Sequence, residues 1–271
     1  MNHNIDEIKR HYVEHGWVLV KNLFPRKATD EFKNSAEALL LAFLRKAGGD
    51  TKIDKHDVLD FGYPWLKKMN PQIASQFYDA LWGTSSFIRL TALSDFTEII
   101  ASLLNIDESQ IYSPLLRCRL DPPMDQSRTY GWHQEIFYTI PNSNYLQTWA
   151  PLVNDIPTSV GALHVLDRSH RGGIAKQSWN EVEGKPLQIL VDQEIVRKYE
   201  DIVIETEVGD MLFFDKHTIH ASGSNTSKKT RYSFVGMYHD ACAKEFKTPI
   251  FPLWQFRDKS ARQYFEEHSE G

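Results

Sequence analysis

Cysteine is scarce in this chain: Cys118 and Cys242 are the only two in 271 residues. That excludes a disulfide framework and favours a reducing compartment. No apolar run approaches the ~20 residues that a membrane-spanning helix needs. The polar start, Met1-Asn2-His3-Asn4-Ile5-Asp6, lacks the apolar core of a secretion signal. Basic charge is not in excess either. The net charge is −5 and the pI about 6.1, whereas a nucleic-acid-binding surface is basic. No repeat, low-complexity tract or Pro/Gly/Ser-rich linker divides the chain, and no glycine-rich nucleotide loop is present. The expectation is one cytoplasmic domain over residues 1–271 that works on a small molecule, with no nucleic-acid partner and no membrane.

What is present fits that expectation. Hydrophobic residues make up 41% and charged residues 25%, an ordinary globular balance. Ile5, Ile8, Tyr12 and His15 fall at helical spacing, and Gly16 ends the pattern. Trp17 to Val20 reads as a buried strand. Thr29 to Lys46 reads as a long helix with Thr29 as its N-cap, and helices are expected over 73–81 and 96–104. From about residue 111 the texture changes to short β-rich runs: 111–120, 146–153, 161–166, 202–207, 211–214 and 231–238. Turn residues separate them. Helices to about residue 110 followed by many short strands over about 111–240 predict a helical flank on an antiparallel barrel or jelly roll.

The chemistry concentrates in four positions. His133 and Glu135 are two residues apart, so in an extended backbone their side chains project to one side. His220 lies 85 residues beyond Glu135, so only a fold that returns the chain brings it near. Two imidazoles and one carboxylate can fill neighbouring positions on one metal ion and leave the opposite face open, as in non-haem Fe(II) oxygenases. Arg231 follows His220 by eleven residues and suggests an anionic co-substrate beside the metal. A His-X-Glu tripeptide alone is a weak signal. The joint pattern is stronger: an aromatic before it, the turn Gly209-Asp210 feeding Phe213-Phe214, then His220-Ala221-Ser222 and Arg231.

With these stretches the chain resembles the phytanoyl-CoA dioxygenase family of Fe(II)/2-oxoglutarate enzymes. The matching segments are 16–24, Trp132-His133-Gln134-Glu135, 161–170, 208–214 and 220–224, ending at Arg231. The resemblance implies a mainly β fold with flanking helices, the double-stranded β-helix (a cupin-like jelly roll). It implies His133, Glu135 and His220 as iron ligands, with Arg231 gripping the distal carboxylate of 2-oxoglutarate and the Ser222 hydroxyl supporting it. A guanidinium suits that task because its fork meets two carboxylate oxygens and cannot lose its charge. The family more often has Asp where this chain has Glu135. Glu reaches one methylene further and still ligates. Relatives that halogenate lack a carboxylate there, so Glu135 points to hydroxylation.

The implied reaction consumes Fe(II)-bound 2-oxoglutarate and O2, hydroxylates an unactivated C–H bond of a small metabolite, and releases succinate and CO2. The rival readings are a cupin-like metal isomerase and a non-catalytic metal-binding jelly roll, neither of which needs an Arg231–Ser222 carboxylate clamp. Arg117, Arg119, Gln147 and Thr148 are further candidates for the near end of 2-oxoglutarate. Phe137, Tyr138 and Trp149 are candidates for the substrate pocket. His164, His170, His217 and His239 compete as ligands, and His217 is expected to be structural or at the rim.

Overall fold

The computed structural model describes residues 3–49, 58–138, 140, 143–181 and 188–247; of Leu115, Arg128, Phe137 and Tyr138 it describes the backbone alone. Helices α1 (Ile5–His15), α2 (Arg26–Lys46), α3 (Val58–Met69), α4 (Pro71–Leu81), α5 (Ser85–Thr91) and α6 (Ser94–Leu104) precede most of the sheet. Strand β1 (Trp17–Val20) lies among them. Then follow β2 (Ile111–Asp121), β3 (Tyr145–Pro151), β4 (Leu163–Leu166), β5 (Gln177–Asn180), β6 (Gln188–Val191), the short α7 (Gln193–Val196), β7 (Asp201–Ile204), β8 (Met211–Asp215), β9 (His220–Ser222) and β10 (Arg231–Asp240).

The local chemistry explains several boundaries. Gly16 closes α1 with φ +81° and donates its N–H to Tyr12 O at 2.8 Å, a left-handed cap that glycine accepts without strain. Helix α2 starts at Arg26 behind Pro25, not at Thr29. Thr29 is buried inside the first turn and donates its hydroxyl to Arg26 O at 2.9 Å, so it caps nothing. Proline at N-cap outcompetes the threonine because its fixed φ starts the turn earlier. Asn70 caps α4 by accepting from Ile73 N at 3.1 Å, with Pro71 at the first helical position. Helix α3 contains Pro64, which has no N–H to offer the carbonyl of Asp60. That carbonyl instead accepts from Thr230 Oγ1 at 2.6 Å, and Tyr232 Oη donates to Leu59 O at 2.9 Å. The Pro64 break thus ties α3 to the start of β10.

The strands form two opposed antiparallel layers. A five-stranded sheet runs β1-β8-β3-β10-β2, and a three-stranded sheet runs β7-β4-β9, with β5 and β6 paired apart. Side-chain alternation divides the large sheet into two faces. Val18, Val20, Cys118, Leu120, Leu146, Ala150, Met211, Phe213, Tyr232 and Phe234 join the helical core. Phe96 of α6 is central to it, with ring centroids 5.3–6.0 Å from Phe24, Phe213, Phe234 and Tyr238. Trp149, Leu212, Phe214, Trp17 and Leu19 face the other way, onto Leu163, Val165 and Ile204 of the small sheet. This is a jelly roll with flanking helices. Its inner face also carries Asp121, Arg119 and Arg117 on β2, opposite Arg231, Ser233 and Val235 on β10. Apolar packing therefore fills one end of the interior and polar groups the other.

Candidate metal centre

His133 and His220 meet through the backbone. Their main chains form an antiparallel bridge, N–H to carbonyl at 3.0 and 3.1 Å, and their rings lie 4.2 Å apart. Thr218 fixes the approach to β9: its hydroxyl donates to Gly16 O at 2.7 Å, so the cap of α1 also sets the strand that carries His220. Glu135 reaches the pair differently from the extended-backbone expectation. It opens a 3₁₀ turn, Glu135–Tyr138, and its Oε2 stands 3.2 Å from His133 Nε2. Gln134 points away from the metal, as alternation requires. It is fully buried, donates to Gly173 O at 2.9 Å and His217 O at 2.6 Å, and accepts from Ala175 N at 3.0 Å and Gln177 Nε2 at 2.8 Å. One side chain thereby ties two segments, 173–177 and the turn at His217, behind the site.

The donor set fits a metal cation. One ligand atom from each of His133, Glu135 and His220 can be chosen so that all lie within 4.8 Å of one another, and among the described residues this is the one such cluster of His, Cys, Asp or Glu. Each imidazole spends Nδ1 on a backbone carbonyl, His133 on Gly131 O at 2.8 Å and His220 on Thr218 O at 3.0 Å. A carbonyl only accepts, so Nδ1 carries the proton and Nε2 presents a lone pair. At His133 that lone pair faces a carboxylate oxygen, an arrangement that calls for a cation between them. Burial, then the neighbouring His133, depresses His220 to a pKa of about 3, so its ring is neutral and ready to ligate at neutral pH. Burial pushes the Glu135 carboxyl up, whereas positive charge at His133, His220 and Arg119 would bring it below the usual carboxylate range; with both rings neutral, a bound cation would take the place of that charge.

Beside the cluster, two guanidiniums share one carboxylate. Arg231, 3% exposed, donates Nε and Nη2 to Asp121 Oδ2 at 3.1 and 2.8 Å. Its Nη1 donates to the carbonyls of Gly161 and Gly223. Arg119 donates Nε to Asp121 Oδ1 at 3.0 Å and Nη1 to Ser222 Oγ at 3.4 Å. Asp121 thus holds Arg119, Arg231 and, through Arg119, Ser222 at fixed separations. A cavity of about 640 Å³ opens over the cluster, walled by Tyr130, Trp149, Leu163, Phe214 and Met237. Trp149 also packs in the apolar interior. Thr148 borders the cavity with its hydroxyl donated to Gly236 O at 3.3 Å, while Gln147 is buried and its Nε2 has no partner among the described residues. The side chains of Phe137 and Tyr138 lie outside the described residues.

The competing histidines are elsewhere. His164 pairs with Asp201 at 2.9 Å, His239 with Ser143 at 2.5 Å, and His170 with Val13 O at 3.2 Å; His217 stands 3.6 Å from Asp215. Asp121 and Tyr130 did not stand out in the sequence. Asp121 opens an Asp-Pro-Pro turn, and only the β2–β10 register places it opposite Arg231.

The profile of the phytanoyl-CoA dioxygenase family matches residues 12–233. The chain belongs to that family. Family relatives include human peroxisomal phytanoyl-CoA dioxygenase, 23% identical over 83% of this chain, of which the match spans 65%. Another is the 1-deoxypentalenic acid 11-beta-hydroxylase of Streptomyces exfoliatus, 25% identical over 82% of this chain and 75% of the relative. Among solved structures, the epimerase SnoN in complex with Fe3+, alpha ketoglutarate and nogalamycin RO shares the fold. Its TM-score is 0.61 at 17% identity, covering 88% of this chain and 84% of that one. The family match contains the metal cluster, Asp121 and Arg231.

Proposed function

We propose that this chain is an Fe(II)- and 2-oxoglutarate-dependent dioxygenase that hydroxylates an unactivated C–H bond of a small metabolite. The observation that carries this is a buried His133–Glu135–His220 cluster with two guanidiniums, Arg119 and Arg231, held beside it on Asp121. Fe(II) bound there supplies the oxidation, coupling O2 and the decarboxylation of 2-oxoglutarate to succinate and CO2 with oxygen insertion into the substrate. His133 and His220 would hold the ion through Nε2, each oriented by its Nδ1 bond to a backbone carbonyl. Glu135 would complete one face of the coordination sphere.

Electrostatics support the co-substrate. The fixed charges of Arg119, Arg231, Asp121 and Glu135 cancel. A divalent cation adds two positive charges, which the dianion 2-oxoglutarate matches. Arg231, with Ser222, would grip the distal carboxylate, and Arg119 would steady Ser222 and Asp121. Trp149, Phe214 and Leu163 exclude water on the apolar side. A cupin-like isomerase that uses no 2-oxoglutarate has no need of cations beside the metal. The epimerase structure with Fe3+ and alpha ketoglutarate supports the metal and the co-substrate, and the hydroxylase relative supports the hydroxylation outcome. The test is succinate formation from 2-oxoglutarate and Fe(II) across a panel of small metabolites, with mass analysis of each product. Substrate-stimulated succinate together with a product heavier by one oxygen is expected. Absence of any succinate, or isomerised product without succinate, contradicts the proposal.

A further inference from the structure

The cavity over the metal cluster is lined by more cations than its fixed partners neutralise. Arg119 and Arg231 share Asp121, and Lys67 is paired with Asp125 at 3.0 Å. Arg117 also lines the cavity, and no hydrogen bond or ion pair joins it to any described residue. Its place is set by β2. It shares the inner face with Arg119 and stands two residues further along, about 7 Å at ~3.4 Å per residue. Register carries it away from Arg231: Asp121 pairs with Arg231, Arg119 with Ser233, and Arg117 with Val235. The guanidinium therefore lies on the far side of Arg119 from the proposed 2-oxoglutarate clamp.

That end is also where the cavity continues. A second cavity of about 480 Å³, between α3, α4 and the β2 edge, shares Lys67, Tyr78 and Arg117 with the first and is otherwise walled by Tyr63, Ala74 and Trp82. Asp79 borders it too and is itself engaged. Across the first cavity, Gln147 is 4% exposed with an unpartnered Nε2, a second donor that seeks an acceptor.

We propose that Arg117 anchors a carboxylate on the primary substrate, whose apolar or aromatic body lies along Tyr78 and Trp82 and reaches inward to the metal cluster. The assignment rests on the oxygenase reading above and adds its substrate class. One unpaired monocation matches one carboxylate, and its planar fork suits that geometry. A phosphate dianion would call for a second unpaired cation, and Lys67 is engaged.

The test uses the Mn(II)-loaded protein with saturating 2-oxoglutarate under anaerobic conditions. Dissociation constants are measured for matched pairs: 3-phenylpropanoate against 3-phenylpropanamide, and octanoate against octanamide, with phenyl phosphate as a further arm. In the wild type the acids should bind at least tenfold more tightly than their amides, the scale of one charge-assisted hydrogen bond. Arg117→Gln should bring the acid-to-amide ratio near one, and Arg117→Lys should restore part of it, which a general packing defect would not do. An acid preference that survives in Arg117→Gln overturns the proposal, as does no acid preference, or no acid binding, in the wild type. Phenyl phosphate binding more tightly than both carboxylates overturns the carboxylate assignment. Failure of 2-oxoglutarate itself to bind the Mn(II)-loaded wild type instead overturns the oxygenase reading, so the two failures are told apart.

Discussion

Replacing Gly161 with alanine tests the arginine clamp without touching the metal ligands or the clamp itself. Gly161 has φ +89°, and a Cβ built there would stand 2.6 Å from Arg231 Nη1 and 2.6 Å from Gly223 O. The left-handed backbone costs an alanine about 1–2 kcal/mol. The methyl must also push Nη1 off the carbonyls of Gly161 and Gly223, at about 1 kcal/mol for each hydrogen bond lost. The expected loss is therefore about 3–4 kcal/mol, or roughly 6–16 °C in melting temperature for a chain of this size. The guanidinium is held by the same fork to Asp121, so its displacement should also weaken 2-oxoglutarate binding about tenfold or more. Calorimetric melting gives the first quantity. Titration of 2-oxoglutarate into the Mn(II)-loaded protein gives the second, with Mn(II) affinity as the control. Mn(II) affinity should hold within about threefold. A lowered melting temperature with unaltered 2-oxoglutarate affinity would refute Arg231 as the clamp. No change in either quantity would refute the close packing of Gly161 on Arg231.

Two further outcomes follow from the buried histidines. Burial, then Lys216, holds His239 at a pKa of about 4 against an ordinary 6.5, so the unfolded chain takes up a proton in that interval that the folded chain refuses. This contribution is complete above pH 6.5 and lost as the pH falls towards 4, by up to roughly 3 kcal/mol. Urea unfolding of chelator-treated protein between pH 7.5 and 4.5 should show it, with a shallower slope in His239→Gln; equal slopes would contradict it. His220→Ala should abolish succinate formation while leaving the fold intact by circular dichroism, and retained turnover would remove His220 from the metal site.

Much of this arrangement is written locally in the sequence, and some is not. The strands of the core announce themselves by β-rich runs between turn residues, and α1 and α4 by spacing and punctuation. Helix α3 is hidden because Gly62 and Pro64 read as breakers, and the compensation comes from Thr230 and Tyr232, some 170 residues away. Strand β5 is short and half exposed and leaves no apolar signature, and its partner β6 is an apolar run of only three residues after Gln188. His133, Glu135 and His220 are visible as a pattern because metal chemistry restricts residue type. The turn that carries Glu135 is not, since His-X-Glu reads equally well as a strand. Asp121 is least legible of all. Its role as shared partner of Arg119 and Arg231 exists only once β2 and β10 are in register. The same register separates Arg117 from Arg119, two residues that the sequence alone treats alike.

The convergence of His133, Glu135 and His220 on one ion, with Arg231 placed to hold a co-substrate, is tested most directly by anaerobic absorbance titration of Fe(II) and 2-oxoglutarate. A weak visible charge-transfer band that saturates at one equivalent of Fe(II), requires 2-oxoglutarate and disappears in His220→Ala is the expected result. A wild-type protein that binds Fe(II) without developing the band, or a band that persists in His220→Ala, would contradict it.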